Sequence, residues 1–131
     1  MELEIFTLAD HAQDAAGKLF ISGTFDTVHC KGFPFVLPAA CLVLRLRFSA
    51  KETGAHEIIL RSTDPNGKQL LEPARVQLEV PQPAPGADYS AINLPINIHQ
   101  LKLDAPGMYS FELFINDDWK SGIRLYARSA A

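Results

Sequence analysis

The chain is short of most features that announce a function. Only two cysteines, Cys30 and Cys41, occur in 131 residues. Two cysteines make no disulfide framework. A chain of this length buries roughly two thirds of the surface its unfolded form exposes, so it folds without a disulfide or metal staple. The opening segment MELEIFTLAD has neither the basic stretch nor the long apolar stretch of an export signal. No apolar run approaches the ~18 residues of a membrane helix. These absences predict a cytoplasmic protein whose thiols stay reduced, with no membrane partner. Positive charge is scarce as well: 12 Lys and Arg stand against 15 Asp and Glu, for a net charge of −3. Nucleic acid and anionic membrane surfaces both demand a basic footprint, so neither is expected as the main partner. No GxSxG elbow, phosphate-cradling Gly loop, CxxC or HExxH motif appears. No catalytic residue, metal or cofactor is therefore assigned.

What is present is alternation. In CLVLRLRFS, Leu42, Leu44, Leu46 and Phe48 alternate with Val43, Arg45 and Arg47. RVQLEV, AINLPINIHQ and YSFELFI repeat the pattern, the last with Tyr109, Phe111, Leu113 and Ile115 on one side. Successive strand side chains point to opposite faces, so each segment has one buried and one wetter face. ELEIFTLA (2–9), KLFISGTFDTV (18–28), HEIILRST (56–63) and GIRLYAR (122–128) bring the number to about eight strands. Segment 18–28 is apolar on both faces at its start, which predicts a central strand. Gly23 within it predicts a bulge or a close backbone approach. Residues 2–9 and the last strand are the expected sheet edges. DPNGK (64–68), KETG (51–54) and NDDWKSG (116–122) read as hairpin turns. The three prolines of PQPAPGAD (81–88) cannot donate to a ladder and predict a crossover loop. HAQDAAG (11–17) has room for one helical turn. The expectation is a single all-β domain over residues 1–131, an antiparallel sandwich of seven or eight strands.

Two resemblances refine this. LDAPGMYSFEL (103–113) resembles the tyrosine corner of immunoglobulin-like sandwiches, in which a Tyr opening the penultimate strand bonds to upstream backbone. Pro106, Gly107 and Tyr109 carry the likeness. Phe111 stands where antibody domains have Cys, so the resemblance is to disulfide-free bacterial immunoglobulin-like modules. The chain also resembles a family of short bacterial proteins known only as a domain of unknown function. Phe6, Asp10, Gly17, Lys18, Gly23, Phe25 and Asp26, then Pro106, Gly107 and Tyr109, are the matching positions. That resemblance implies a stand-alone domain and supplies no activity.

Four side chains are candidates for contact. Trp119 lies in a turn, and Trp is enriched at binding hot spots. Tyr126 adds apolar area on an outward face. If it and Phe114 cluster with Phe20 or Phe6, they mark a second core layer or a self-association surface. Arg45 and Arg47 share one face, and planar guanidinium forks suit carboxylates or phosphates. Against this, Glu57 and Glu79 are possible cross-strand partners. The PQPAPGAD loop is a further contact candidate. Asp26, His29 and Cys30 combine residue types found at metal and thiol sites, but neighbours on a strand point apart. The alternative for Asp26 is an anchor, bonded to backbone or to Lys31. Asp14, Asp88 and Asp104 would serve acid–base work only if two met in a cleft. The functional expectation is a non-catalytic binding or assembly module contacting a protein partner or itself. The first alternative is a small-ligand or carbohydrate-binding module using Trp119 and Tyr126, favoured by an aromatic patch lined with Asn or Asp. The second is a metal or thiol site at Asp26, His29 and Cys30.

Overall fold

In the computed structural model, which describes residues 1–130, almost the whole chain is extended. Nine strands follow in order: β1 (Glu2–Ala15), β2 (Lys18–Phe25), β3 (Thr27–Cys30), β4 (Phe35–Ser49), β5 (Gly54–Thr63), β6 (Ala74–Val80), β7 (Tyr89–Leu103), β8 (Gly107–Ile115) and β9 (Asp118–Ser129). They form a four-stranded sheet, β2-β1-β4-β7, and a five-stranded sheet, β3-β9-β8-β5-β6. The two sheets make the expected all-β sandwich. One pairing departs from the antiparallel rule: β3 runs parallel to β9. No helix among the described residues is long and apolar enough to cross a membrane.

Alternation builds the interior. Leu42, Leu44, Leu46 and Phe48 of β4 meet Ile58 and Leu60 of β5, Tyr109, Phe111, Leu113 and Ile115 of β8, and Leu125 and Ala127 of β9. At the corner before β8, the Tyr109 hydroxyl donates to the Ala105 carbonyl at 2.6 Å. It also accepts from the Ala105 N–H at 3.2 Å. Gly107 has φ 142°, and a Cβ there would lie 2.8 Å from the Pro65 ring. The corner is thereby locked to the DPNGK turn, where Asp64 Oδ1 accepts from the N–H groups of Asn66 and Lys68, both at 2.9 Å.

Several expectations need correction. Segment 18–28 is not one central strand. It is an edge strand of one sheet followed by an edge strand of the other. The chain changes sheets at Asp26, whose carbonyl accepts the Tyr126 N–H at 2.8 Å. Strand β1 and the last strand are internal; the edges are β2, β7, β3 and β6. HAQDAAG is strand rather than helical turn, because β1 continues through it to Ala15. KETG closes no hairpin; a 3-10 turn there carries the chain from one sheet to the other. NDDWKSG does close the β8–β9 hairpin, with Asn116 and Asp117 at φ 50° and 70°. PQPAPGAD is the expected crossover, linking β6 to β7 in the opposite sheet.

The extra length of β1 explains the doubly apolar pattern of β2. Strand β1 pairs with β4 only as far as Ala9–Cys41, but with β2 as far as Ala15–Lys18. Beyond Ala9 the β1–β2 hairpin leaves the sheet plane and folds across the sheet's outer face. Its tip reaches β7, where Asn93 Nδ2 donates to the Gly17 carbonyl at 3.1 Å. Gly23, at φ 69°, sits opposite Asp10 at this bend, and its missing Cβ makes room for the Asp10 carboxylate. Ala9, Ala12, Cys41 and Val43 are buried beneath the hairpin with Ile5, Leu19 and Ile21 around them.

Candidate functional site

The remaining open surface is the outer face of the five-stranded sheet. Inward residues of β8 and β9 are fixed by the core, so Met108, Ser110, Glu112 and Phe114 point outward on β8. Gly122, Arg124, Tyr126 and Arg128 point outward on β9. Register sets them in rows: Phe114 beside Trp119, Glu112 beside Gly122, Ser110 beside Arg124, Met108 beside Tyr126. Trp119 is 59% exposed and Met108 39%. The Trp119 indole N–H donates to Glu112 Oε2 at 2.7 Å. The Glu112 carboxylate lies where a Cβ on Gly122 would be. The Arg61 guanidinium sits 5.6 Å from the Phe114 ring, and Arg128 lies 5.6 Å from the Tyr126 ring. Such stacking holds the cations flat without neutralising them. Among the described residues, no carboxylate lies within salt-bridge distance of Arg61, Arg124 or Arg128.

Trp119 and Tyr126 thus share one face. Trp119 stands beside Phe114 and Tyr126 beside Met108, two rows lying between the pairs; Phe20 and Phe6 belong to the other sheet. The sequence pattern already put Tyr126 and Phe114 outward. Only strand register adds Met108, Glu112, Arg124 and Arg128 to them.

Arg45 and Arg47 lie on the opposite side of the molecule and are engaged. Glu4 Oε2 accepts from Nε of both, at 3.1 Å and 2.8 Å. Arg45 also donates to Asn93 Oδ1 at 2.6 Å, and Arg47 lies 4.5 Å from the Tyr89 ring centre. A register shift between Leu3 and Ile5 turns Glu4 toward these arginines. The hydrogen bond from Arg47, then that from Arg45 and the charges of both, hold the Glu4 carboxyl below its ordinary value of 4.5, against a smaller opposing cost of burial. The expected partners Glu57 and Glu79 are elsewhere; Glu57 meets Arg75 at 3.7 Å.

Asp26, His29 and Cys30 do not converge. Asp26 Oδ1 accepts only the Thr27 hydroxyl, at 2.9 Å, and its main-chain carbonyl rather than its side chain anchors β9. It makes no ion pair with Lys31. His29 is exposed and Cys30 fully buried, on opposite faces of β3. Burial raises the pKa of both thiols, the reverse of what a thiolate nucleophile needs. The two cysteines occupy separate clusters and are free. Among the described residues, no three His, Cys, Asp or Glu side chains are grouped to hold a metal ion. Asp14, Asp88 and Asp104 stay apart: Asp14 caps the Gly17 N–H at 3.0 Å, Asp104 lies 3.6 Å from Lys102, and Asp88 borders β7.

One apolar cleft opens between the sheets on the β6–β7 side. It holds about 390 Å³ and is lined chiefly by Leu42, Leu60, Leu71, Ile96, Ile98 and Phe111. Nothing in the sequence foretold it, since its walls are ordinary inward residues of strands far apart in the chain.

A family model matches residues 4–128, nearly the whole length: a family of unknown function (DUF6941). The chain belongs to that family, as the residues from Phe6 to Tyr109 led one to expect. No curated protein matches it.

Proposed function

We propose that this member of a family without an assigned activity is a non-catalytic recognition or assembly module, and that its contact surface is the outer face of the five-stranded sheet. One observation carries the reading. The molecule lays its own hairpin over Cys41 and Val43 on its four-stranded sheet, where Phe20, Val36 and Tyr89 stay exposed, and leaves open on the other Trp119, Met108 and three arginines without ion-pair partners among the described residues. Exposed aromatic and arginine side chains set among small ones are what a protein interface uses. The fold reading that accompanies it is immunoglobulin-like, supported by the Tyr109 corner and by the sheet order with β3 parallel to the last strand. A cytoplasmic setting goes with it, supported by the two free thiols, and a bacterial one is carried by the family resemblance alone.

The carbohydrate alternative asks for Asn or Asp beside the aromatics. Trp119 and Tyr126 stand instead at opposite ends of the face, with the Glu112 and Arg124 rows between them, so they form no continuous stacking platform. A small-ligand reading finds its support in the cleft beneath Leu71, an apolar space within the usual range for ligand pockets. The test of the leading reading is photo-cross-linking in the native host. A benzophenone amino acid replacing Trp119 should trap a protein. The same probe replacing Phe20, exposed on the covered side, should trap none. Trapping only at Phe20 would contradict the reading.

A further inference from the structure

We propose that this face binds a second copy of itself, across a two-fold axis lying in the interface and running perpendicular to the strands. The inference rests on the reading above and names the occupant. Its basis is that the face is charged unevenly along its strands. Toward the β8–β9 turn it carries both signs, Glu57 paired with Arg75 and Glu112 beside Arg61; toward the other end it carries Arg124 and Arg128. Trp119 lies toward the turn end, Tyr126 and Met108 toward the other.

The stated axis keeps β9 over β9 and reverses its direction. The Glu112–Gly122 row and the Ser110–Arg124 row are neighbours. An axis passing between them lays Arg124 of one copy over Glu112 of the other. Gly122 presents no side chain there, so the Glu112 carboxylate can be approached from above. One row further out, Trp119 meets Tyr126. Each contact occurs twice, as a closed two-fold interface requires. An axis running along β9 would instead set Arg124 over Arg124 and Arg128 over Arg128, and like charges across an interface cost several kcal/mol. Five strands about 4.8 Å apart and about seven residues long span about 24 by 23 Å. With side-chain relief, that approaches the ~800 Å² per partner of a standard interface. Glu112 in the middle of the face opposes a nucleic-acid phosphate backbone, which leaves protein as the fitting occupant.

Sedimentation equilibrium of the full chain tests this with a charge exchange. The wild type should dimerise at micromolar concentration. R124E and E112R should each weaken self-association about 100-fold or more, because each sets like charges together at two places. An equimolar mixture of the two variants should recover dimer, since each then supplies the charge the other lacks. If E112R does not melt cooperatively, E112Q takes its place and should also weaken self-association. A wild type that stays monomeric to about 1 mM would overturn the proposal. So would variants that dimerise unchanged, or a mixture of well-folded variants that does not associate. Binding of a single-stranded oligonucleotide at Arg124 would also overturn it. A monomer that still cross-links a different protein through position 119 would defeat the dimer and leave the recognition surface standing.

Discussion

Val43 and Ser110 hold equivalent places, each outward on an internal strand of its sheet, yet their surroundings differ. Val43 is wholly buried under the β1–β2 hairpin, and its neighbours Arg45 and Arg47 are bound to Glu4. Ser110 lies between Arg124 and Thr63 on a face that no strand or loop among the described residues covers. A sheet's outer face need not be its wet face; here one outer face serves as a second core and the other as a surface. The difference is not in composition, since both combine apolar, aromatic and arginine side chains. It lies in whether the chain has a spare hairpin to lay over them.

Substitutions of one kind on the two faces should therefore diverge. V43D places a charge beneath the hairpin and should destabilise the fold by at least about 3 kcal/mol in urea unfolding. S110D should change stability by less than about 0.5 kcal/mol. Equal effects would break the comparison. Next in size is the bend itself. G23A forces a side chain into a left-handed conformation and onto the Asp10 carboxylate, and should cost about 2 kcal/mol. It should also raise the reactivity of Cys41 toward an alkylating reagent while leaving Cys30 protected.

A pH dependence should follow from Glu4. Its folded pKa lies below its unfolded value, so its contribution to stability is present above about 4.5 and is lost as pH falls through the folded value. E4Q should remove that part of the acid sensitivity, seen as a flatter melting temperature between neutral and acidic pH. An unchanged profile would show that the Arg45–Glu4–Arg47 group does not seal the covered face. The smallest effect on stability is expected for W119A, within about 0.5 kcal/mol of the wild type, although association through the open face should be lost.

Much of the architecture was legible because period-two patterns report one-sided burial directly. The β4 and β8 cores follow from it; the Tyr109 corner came from a resemblance in the 103–113 motif and the 81–88 crossover from its three prolines. The folded-back hairpin was not legible, since a strand under its own hairpin shows the same period as one facing water. The β1 pattern was blurred for a further reason: the register shift between Leu3 and Ile5 lets Leu3, Phe6 and Leu8 all pack on the core while Glu4 turns outward. That is why the Arg45 and Arg47 partner was sought at Glu57 and Glu79. On the open face, Trp119 and Tyr126 were visible as outward aromatics. Their union with Glu112 and Arg124 depends on which residues stand opposite across β8 and β9, and alternation within a single strand carries no information about register.

The chain's one tryptophan lies on the open face, so its fluorescence reports on that surface alone. The most direct test is acrylamide quenching of Trp119 as protein concentration rises from about 1 μM to about 1 mM. Quenching should fall and emission shift to shorter wavelength, in step with dimer formed by sedimentation, and R124E should abolish both changes. Dimer forming while Trp119 stays fully quenchable would contradict the assignment of this face as the contact surface.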